Sequence, residues 1–236
     1  MNHSMWHHPA TRSNCEQLKQ RGVFFIGPEV GEQACGEYGP GRIAEIPHII
    51  DALRLLNVRD LLIGRRIVIT AGPTREAIDP VRYISNHSSG RMGYALALAA
   101  RIAGAEVTLI SGPTTLVPPL DIHCCRVDSA RQMHDETIKA MQPGTIFIGC
   151  AAVADYAVEQ IASSKIKKTK HQQLQLELTR NPDILAEVAS LKMASYLVGF
   201  AAETEDIVHY AKQKLKSKNL DMIIANQVGE NLGFEK

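Results

Sequence analysis

The sequence predicts a three-layer α/β fold, with a mainly parallel sheet between helices, and three observations predict it. From residue 66 onward, strand-length apolar runs alternate with helical patterns. Those runs are continuously apolar rather than alternating, which is how strands covered on both faces read. The alternation begins after a change in composition near residues 58–65, and the segment before it holds too few apolar residues in register to close its own core.

Residues 1–57 read as fragments: a polar helix around Asn14–Gln20, a short strand Val23–Ile26, a Gly-rich loop through Gly41, and a helix initiated by Pro47 that runs to about Leu56. Arg66–Ala71 (RIVITA) is the first buried strand. A polar excursion of about 20 residues separates it from an Ala-rich helix over about Met92–Ala103. Strand Glu106–Ile110, a short strand near Ile122–Val127, a helix over about Ser129–Met141 and strand Thr145–Cys150 follow. Leu174–Leu178 reads as a further strand. Asn181-Pro182-Asp183 opens a helix, with Asn181 as N-cap and Pro182 in the first helical position. Strand Tyr196–Phe200, a helix over about Glu205–Lys218 and strand Met222–Ala225 complete the pattern.

Lys and Arg number 26 against 25 Asp and Glu, a formal charge of +1, which excludes nucleic-acid binding through a broad basic field. Aromatic residues make up 5%, and no apolar run approaches the ~20 residues of a membrane helix. The first eight residues lack the charged-then-apolar pattern of a leader, so a cytoplasmic chain with no membrane partner is expected. The cysteines, Cys15, Cys35, Cys124, Cys125 and Cys150, include no C-x-x-C pair and indicate neither a disulfide framework nor a zinc site.

In a parallel α/β sheet, ligands gather where strands end and helices begin, because unpaired N–H groups there offer a positive dipole end to anions. The excursion after the first strand contains Asn86, with Gly90 and Gly93 at the helix entry. It is too long, and its glycines wrongly spaced, for a dinucleotide turn; it reads as a functional loop or as a solvated one that caps the helix. Strand Thr145–Cys150 runs into Gly149-Cys150-Ala151-Ala152-Val153-Ala154-Asp155-Tyr156. These are small residues for a nucleotide to pack against, with Asp155 free to meet a ribose, a base or a metal-bound phosphate, or else to cap the next segment. Lys165-Ile166-Lys167-Lys168, the start of the Lys165–Lys170 charge run, is either solvated or the source of a mobile lysine for a transferring phosphoryl group. Phe200 stacks on a base or fills the core. Lys212, Lys214, Lys216 and Lys218 suit the C-terminal half of a helix through its dipole.

The segments ITAGPTREAIDPVRYISNHSSGRMGYALA, GCAAVADY, KIKK, NPDI, GFAAET and KNLD, in this order, resemble the synthetase half of the bifunctional phosphopantothenoylcysteine decarboxylase/phosphopantothenate–cysteine ligase family of bacterial coenzyme A biosynthesis. The resemblance covers roughly residues 64–236. Residues 1–57 resemble the tail of that family's decarboxylase domain. Met1-Asn2 with Met5-Trp6 matches a Pro-Ala-Met-Asn motif cut in its middle, and Ala34-Cys35-Gly36-Glu37 with Gly39-Pro40-Gly41-Arg42 matches the substrate-clamp block.

This resemblance implies a Rossmann-like three-layer fold preceded by a partial flavoprotein-type α/β segment. It divides the chain into a decarboxylase remnant over 1–57, a linker over 58–64 and a ligase domain over 65–236, with a C-terminus at Gly233-Phe234-Glu235-Lys236 that looks cut. The implied reaction joins 4′-phosphopantothenate to L-cysteine with CTP and Mg²⁺, through an acyl-cytidylate. Gly149, Cys150, Ala151, Asp155 and Phe200 would hold the nucleotide, Asn181, Pro182, Asp183 and Ile184 would meet its phosphates, and Lys214 and Lys218 would add positive charge. Lys165 would stabilise the transferring phosphate, and Asn86 would bind the acyl-cytidylate. The metal ligands are not identifiable from the sequence, the Mg²⁺ being held mainly by CTP phosphates. Asn2 and Cys35 would be vestiges of a decarboxylase site that uses FMN only in the intact domain, so no decarboxylation is expected of this chain. The family pairs as homodimers through the synthetase domain and forms a higher oligomer when intact. Two other readings remain open: a flavin-dependent decarboxylase resting on residues 1–57, and a non-catalytic nucleotide-binding or assembly module.

Overall fold

The computed structural model describes residues 1–56, 60–167 and 174–229. The expected linker lies partly, and Lys168–Lys170 and Gly233–Lys236 wholly, outside the described residues. The chain divides into two compact units, Met1–Val58 and Arg59–Lys236.

In the first unit the helices are α1 (His3–His7), α2 (Pro9–Gln20) and α3 (Ile46–Leu55), and strands β1 (Glu29–Glu32) and β2 (Tyr38–Arg42) lie between them. Helix α2 starts five residues before the expected Asn14, because Pro9 presets the first turn and the His8 ring accepts a hydrogen bond from the Ala10 N–H at 3.2 Å. The expected strand Val23–Ile26 does not form: Val23 and Phe24 are exposed, and no backbone among the described residues offers it a ladder. The expected Gly-rich loop is instead an antiparallel hairpin, in which Glu32 pairs with Tyr38 and Val30 with Pro40. Its buried positions are Gly31, Gly39 and Gly41, so the inward face leaves no apolar signature in the sequence.

The second unit is built on β3 (Arg66–Ala71), β4 (Glu76–Ala77), β5 (Tyr83–Ile84), α4 (Arg91–Ile102), β6 (Glu106–Ser111), β7 (His123–Arg126), α5 (Ala130–Ala140), β8 (Thr145–Gly149), β9 (Tyr156–Val158), β10 (Leu178–Arg180), α6 (Ile184–Leu191), β11 (Ala194–Glu203), α7 (Ile207–Ser217) and β12 (Met222–Gln227). Six strands form one sheet in the order β12-β11-β8-β3-β6-β7, and every pair in it is parallel. Strand β3 is central, with Ile67 opposite Val107 on one side and Ile146 on the other. The expected three-layer, Rossmann-like arrangement is present. Ile67, Ile69, Val107 and Leu109 pack with Tyr94, Ala97 and Ala100 of α4 on one face. Val68, Ile110, Phe147 and Leu197 pack with Met133 of α5 and Ile184 and Val188 of α6 on the other. Adjacent residues of one strand serve opposite faces, which is why the strands read as continuous apolar runs.

Two small antiparallel pairs, β4–β5 and β9–β10, lie outside this sheet. The expected strand Leu174–Leu178 is shifted to Leu178–Arg180, because its extent is set by the three-residue partner β9, with Arg180 opposite Tyr156. The excursion between β3 and α4 holds the β4–β5 pair and closes where it opened. Gly90 caps α4 with a left-handed φ of 78°, and a Cβ on it would lie 3.3 Å from the Gly72 Cα. At Gly93 a Cβ would stand 2.5 Å from that of Ala71, so glycine is what lets α4 lie directly on β3. No helix among the described residues is long and apolar enough to cross a membrane.

Candidate active site

The sheet order reverses beside β3: the chain proceeds outward through β6 and β7, then returns to β8 on the other side of β3. Loops that part at such a point leave a crevice at the carboxyl ends of the strands. A cavity of about 510 Å³ occupies it, and its wall includes Thr70 from the end of β3, Gly149 from the end of β8 and Ala151 just beyond it, Phe200 from β11, and Arg180 from β10.

Hydrogen bonds from β3 and its excursion shape the wall after β8. The Ala151 N–H donates to the Thr70 hydroxyl at 3.3 Å and the Ala154 N–H to that of Thr74 at 3.0 Å. Between them the Ala152 N–H donates to the Gly72 carbonyl at 2.9 Å, and its own carbonyl accepts from the Asn86 side-chain amide at 2.5 Å. Asn181 closes the far side, its side-chain amide donating to the Ala154 carbonyl at 2.8 Å and its N–H to that of Asp155 at 2.9 Å. Asn181 is therefore not the N-cap of α6. Asp183 is, its carboxylate accepting from the Ala186 N–H at 3.0 Å. The reason is Asn181's engagement with the wall, which delays the helix by two residues, and Pro182 stands before the first turn rather than in it.

Charge in the cavity is balanced locally. Arg180, Lys214 and Lys218 line it, against Asp155 and Asp183. Burial opposes ionisation of Asp183, but the bonds from Lys218 and Ala186 and the charges of Lys218 and Lys214 outweigh it, so its carboxyl sits below the usual range. Burial is also what lowers Lys214, against the attraction of Glu203, Asp183 and Asp155. The Lys214 ammonium donates to the Phe200 carbonyl at 2.7 Å, whereas Lys218 pairs with Asp183. Among the described residues no group of three or more His, Cys, Asp or Glu is placed to hold a metal ion, and one of the two cavity carboxylates is already paired with a lysine.

Of the residues singled out in the sequence, Gly149, Ala151, Asp155, Asn181, Pro182, Asp183, Ile184, Phe200, Lys214 and Lys218 line this one cavity. Cys150 is not among the lining residues, and burial pushes its pKa up to about 12. Asn86 is one hydrogen bond behind the wall, and Lys165 is exposed outside it. Sequence reasoning missed Thr70, Thr74 and Arg180. The threonines sit in an apolar run and a loop with no motif to mark them, while Arg180 stands immediately before Asn181 and was within reach as a cation beside a helix start. In the first unit, Asn2 and Cys35 come together. The Asn2 amide donates to the Cys35 sulfur at 3.4 Å and to Glu37, whose carboxyl lies below its usual range through the bonds from Asn2 and His3.

A family model, the DNA/pantothenate metabolism flavoprotein C-terminal domain, matches residues 62–236. The chain belongs to that family. A second family model, Flavoprotein, matches residues 1–57. The coenzyme A biosynthesis bifunctional protein CoaBC of Vibrio cholerae is 49% identical over 230 residues, which are 97% of this chain and 58% of that protein. The chain thus spans little more than half the length of the curated relative it matches. The solved C-terminal domain of a CoaBC protein shares 47% identity at a TM-score of 0.63, covering 71% of this chain and 79% of that one. The DNA/pantothenate metabolism flavoprotein of Streptococcus pneumoniae aligns at a TM-score of 0.62 with 28% identity, covering 70% of this chain and 83% of that one. The family resemblance read from the motifs is borne out, and with it the fold.

Proposed function

We propose that the second unit is the ligase of coenzyme A biosynthesis that joins 4′-phosphopantothenate to L-cysteine with CTP. The observation that carries this reading is the convergence of ten sequence-selected residues on one cavity at the sheet's reversal point. The phosphopantothenate carboxylate attacks the α-phosphate of CTP, pyrophosphate leaves, and the cysteine amine opens the acyl-cytidylate to give the amide and CMP. Gly149, Ala151 and Asp155 receive the nucleoside, with Phe200 beside the base and Cys150 in the same strand end. Asn181, Pro182, Asp183 and Ile184 meet the phosphates where α6 opens, with Lys214 and Lys218 neutralising them. Mg²⁺ fits as a cation carried on the CTP phosphates, where it screens the attacked phosphorus; the cavity supplies at most Asp155 and Asp183 to it. Lys165 stabilises the transferring phosphate, and Asn86 holds the acyl-cytidylate in place for the amine.

The domain division proposed is 1–57, 58–64 and 65–236, with FMN confined to an intact decarboxylase domain, of which Asn2 and Cys35 are a part. The setting proposed is cytoplasmic, and the ligase pairs as a homodimer. The deciding measurement is CMP and pyrophosphate formation from CTP and phosphopantothenate, with and without cysteine and Mg²⁺. The expected result is Mg²⁺-dependent turnover to the amide; CTP that binds but is never cleaved would support the non-catalytic module instead.

A further inference from the structure

Asp79 is 3% exposed and lies in the excursion between β3 and α4, away from the cavity wall. One of its oxygens accepts from the backbone N–H groups of Val81 and Arg82, both at 2.8 Å, and so closes a tight local turn. The other accepts from the Arg82 guanidinium at 3.1 and 2.5 Å, and from the Ile166 N–H at 3.1 Å. Arg82 in turn donates to the Ile166 carbonyl at 3.0 Å. Both polar backbone groups of Ile166, more than 80 residues away in sequence, are thus held by a single ion pair, and the Ala162 N–H adds a bond to the Ile78 carbonyl at 3.0 Å.

A buried carboxylate is an expensive way to hold a loop: desolvation opposes it, and apolar packing serves stability as well. What the pair does supply is one fixed position for the residue that follows Lys165. With Ile166 pinned on both sides, the exposed Lys165 side chain searches only its own rotamers rather than those of a free loop. We propose that Asp79, with Arg82, is a positioning residue that seats the Lys165 segment for phosphoryl transfer. The proposal rests on the role given to Lys165 above.

The test uses the full chain with Asp79→Asn, which keeps the turn-closing oxygen but sets an NH₂ against Arg82 and the Ile166 N–H. Arg82→Gln, at an exposed guanidinium, breaks the same link should the first variant fold poorly. Lys165→Gln is the reference. Hydrogen exchange at the Ile166 amide is read beside kcat for pyrophosphate release and KM for CTP. The expected result is exchange accelerated at least about 10-fold and kcat lowered by up to about 10²-fold, with KM for CTP little changed, since a misplaced catalytic group costs rate rather than binding. Unchanged exchange at Ile166 overturns the seat. Faster exchange with full kcat, while Lys165→Gln is inactive, overturns its catalytic importance. Full activity in Lys165→Gln overturns the Lys165 assignment instead, an outcome distinct from the other two because it appears without any change at Asp79.

Discussion

Asn86 stands where an amide does what a carboxylate cannot. Its NH₂ donates to the Ala152 carbonyl and so ties the excursion to the cavity wall, while its oxygen accepts from the Ser88 N–H at 3.3 Å within the excursion. Asn86→Asp replaces the donor with an anion beside a carbonyl. The expected outcome is a chain that still releases pyrophosphate from CTP but makes little product amide; normal amide yield, measured by product chromatography, would sink the assignment. The cysteines give a second test at this scale. Cys150 is held neutral by burial, with its pKa raised to about 12, while Cys35 is exposed. Alkylation at pH 7.5, followed by peptide mass spectrometry, should label Cys35 well before Cys150, and preferential labelling of Cys150 would contradict the described wall.

At the scale of elements, α5 and α6 are joined near the surface by His134, whose ring lies 2.8 Å from Asp135 on its own helix and from Glu187 of α6. Burial works to lower its pKa, but the two carboxylates prevail and raise it. A raised histidine stabilises the fold fully below its unfolded pKa, ~6.5, and loses that contribution as pH climbs through the folded value. The unfolding free energy lost in His134→Gln should therefore be greater at pH 6 than at pH 9, by about 1 kcal/mol. Equal losses at the two pH values in urea titrations would remove the ion pair from the account. Elements were legible in the sequence in proportion to how far a strand is buried on both faces. RIVITA and TIFIG announce themselves, since each serves two cores, whereas EVGE and YGPGR bury glycines and looked like loop. The cap of α6 was misplaced because a sequence shows that Asn181 suits a helix start without showing the Ala154 carbonyl that claims it. Likewise the order of motifs pointed to the cavity, but the threonines that hold its wall at 70 and 74 carry a role visible only once β3 lies beside β8.

For the molecule as a whole, a net charge of +1 is compatible with a site proposed for polyanions, because the cations are local: Arg180, Lys214 and Lys218 meet at one crevice, with Asp155 and Asp183 beside them. Cohesion is equally uneven. Among the described residues of the first unit only Ala44 and Ala52 are buried apolar side chains, whereas the second holds both hydrophobic cores. Stability follows such differences in buried apolar surface. Amide exchange should accordingly be complete across 1–56 while β3, β6 and β8 remain protected, and equal protection of the two would count against so lopsided a core. One feature reaches beyond stability. Because Gly72 and Gly90 face one another, the polypeptide between them leaves the sheet and rejoins it at a single point. The span so closed is still tied to its surroundings, since Thr74 and Asn86 bond the wall after β8 and the buried Glu76 accepts from the Ala130 N–H that opens α5 at 2.9 Å. Closure entropy rises only slowly with length, so the pinched base sets little limit on how long such a span is, while the bonds at Thr74, Glu76 and Asn86 set which of its positions carry fixed chemistry.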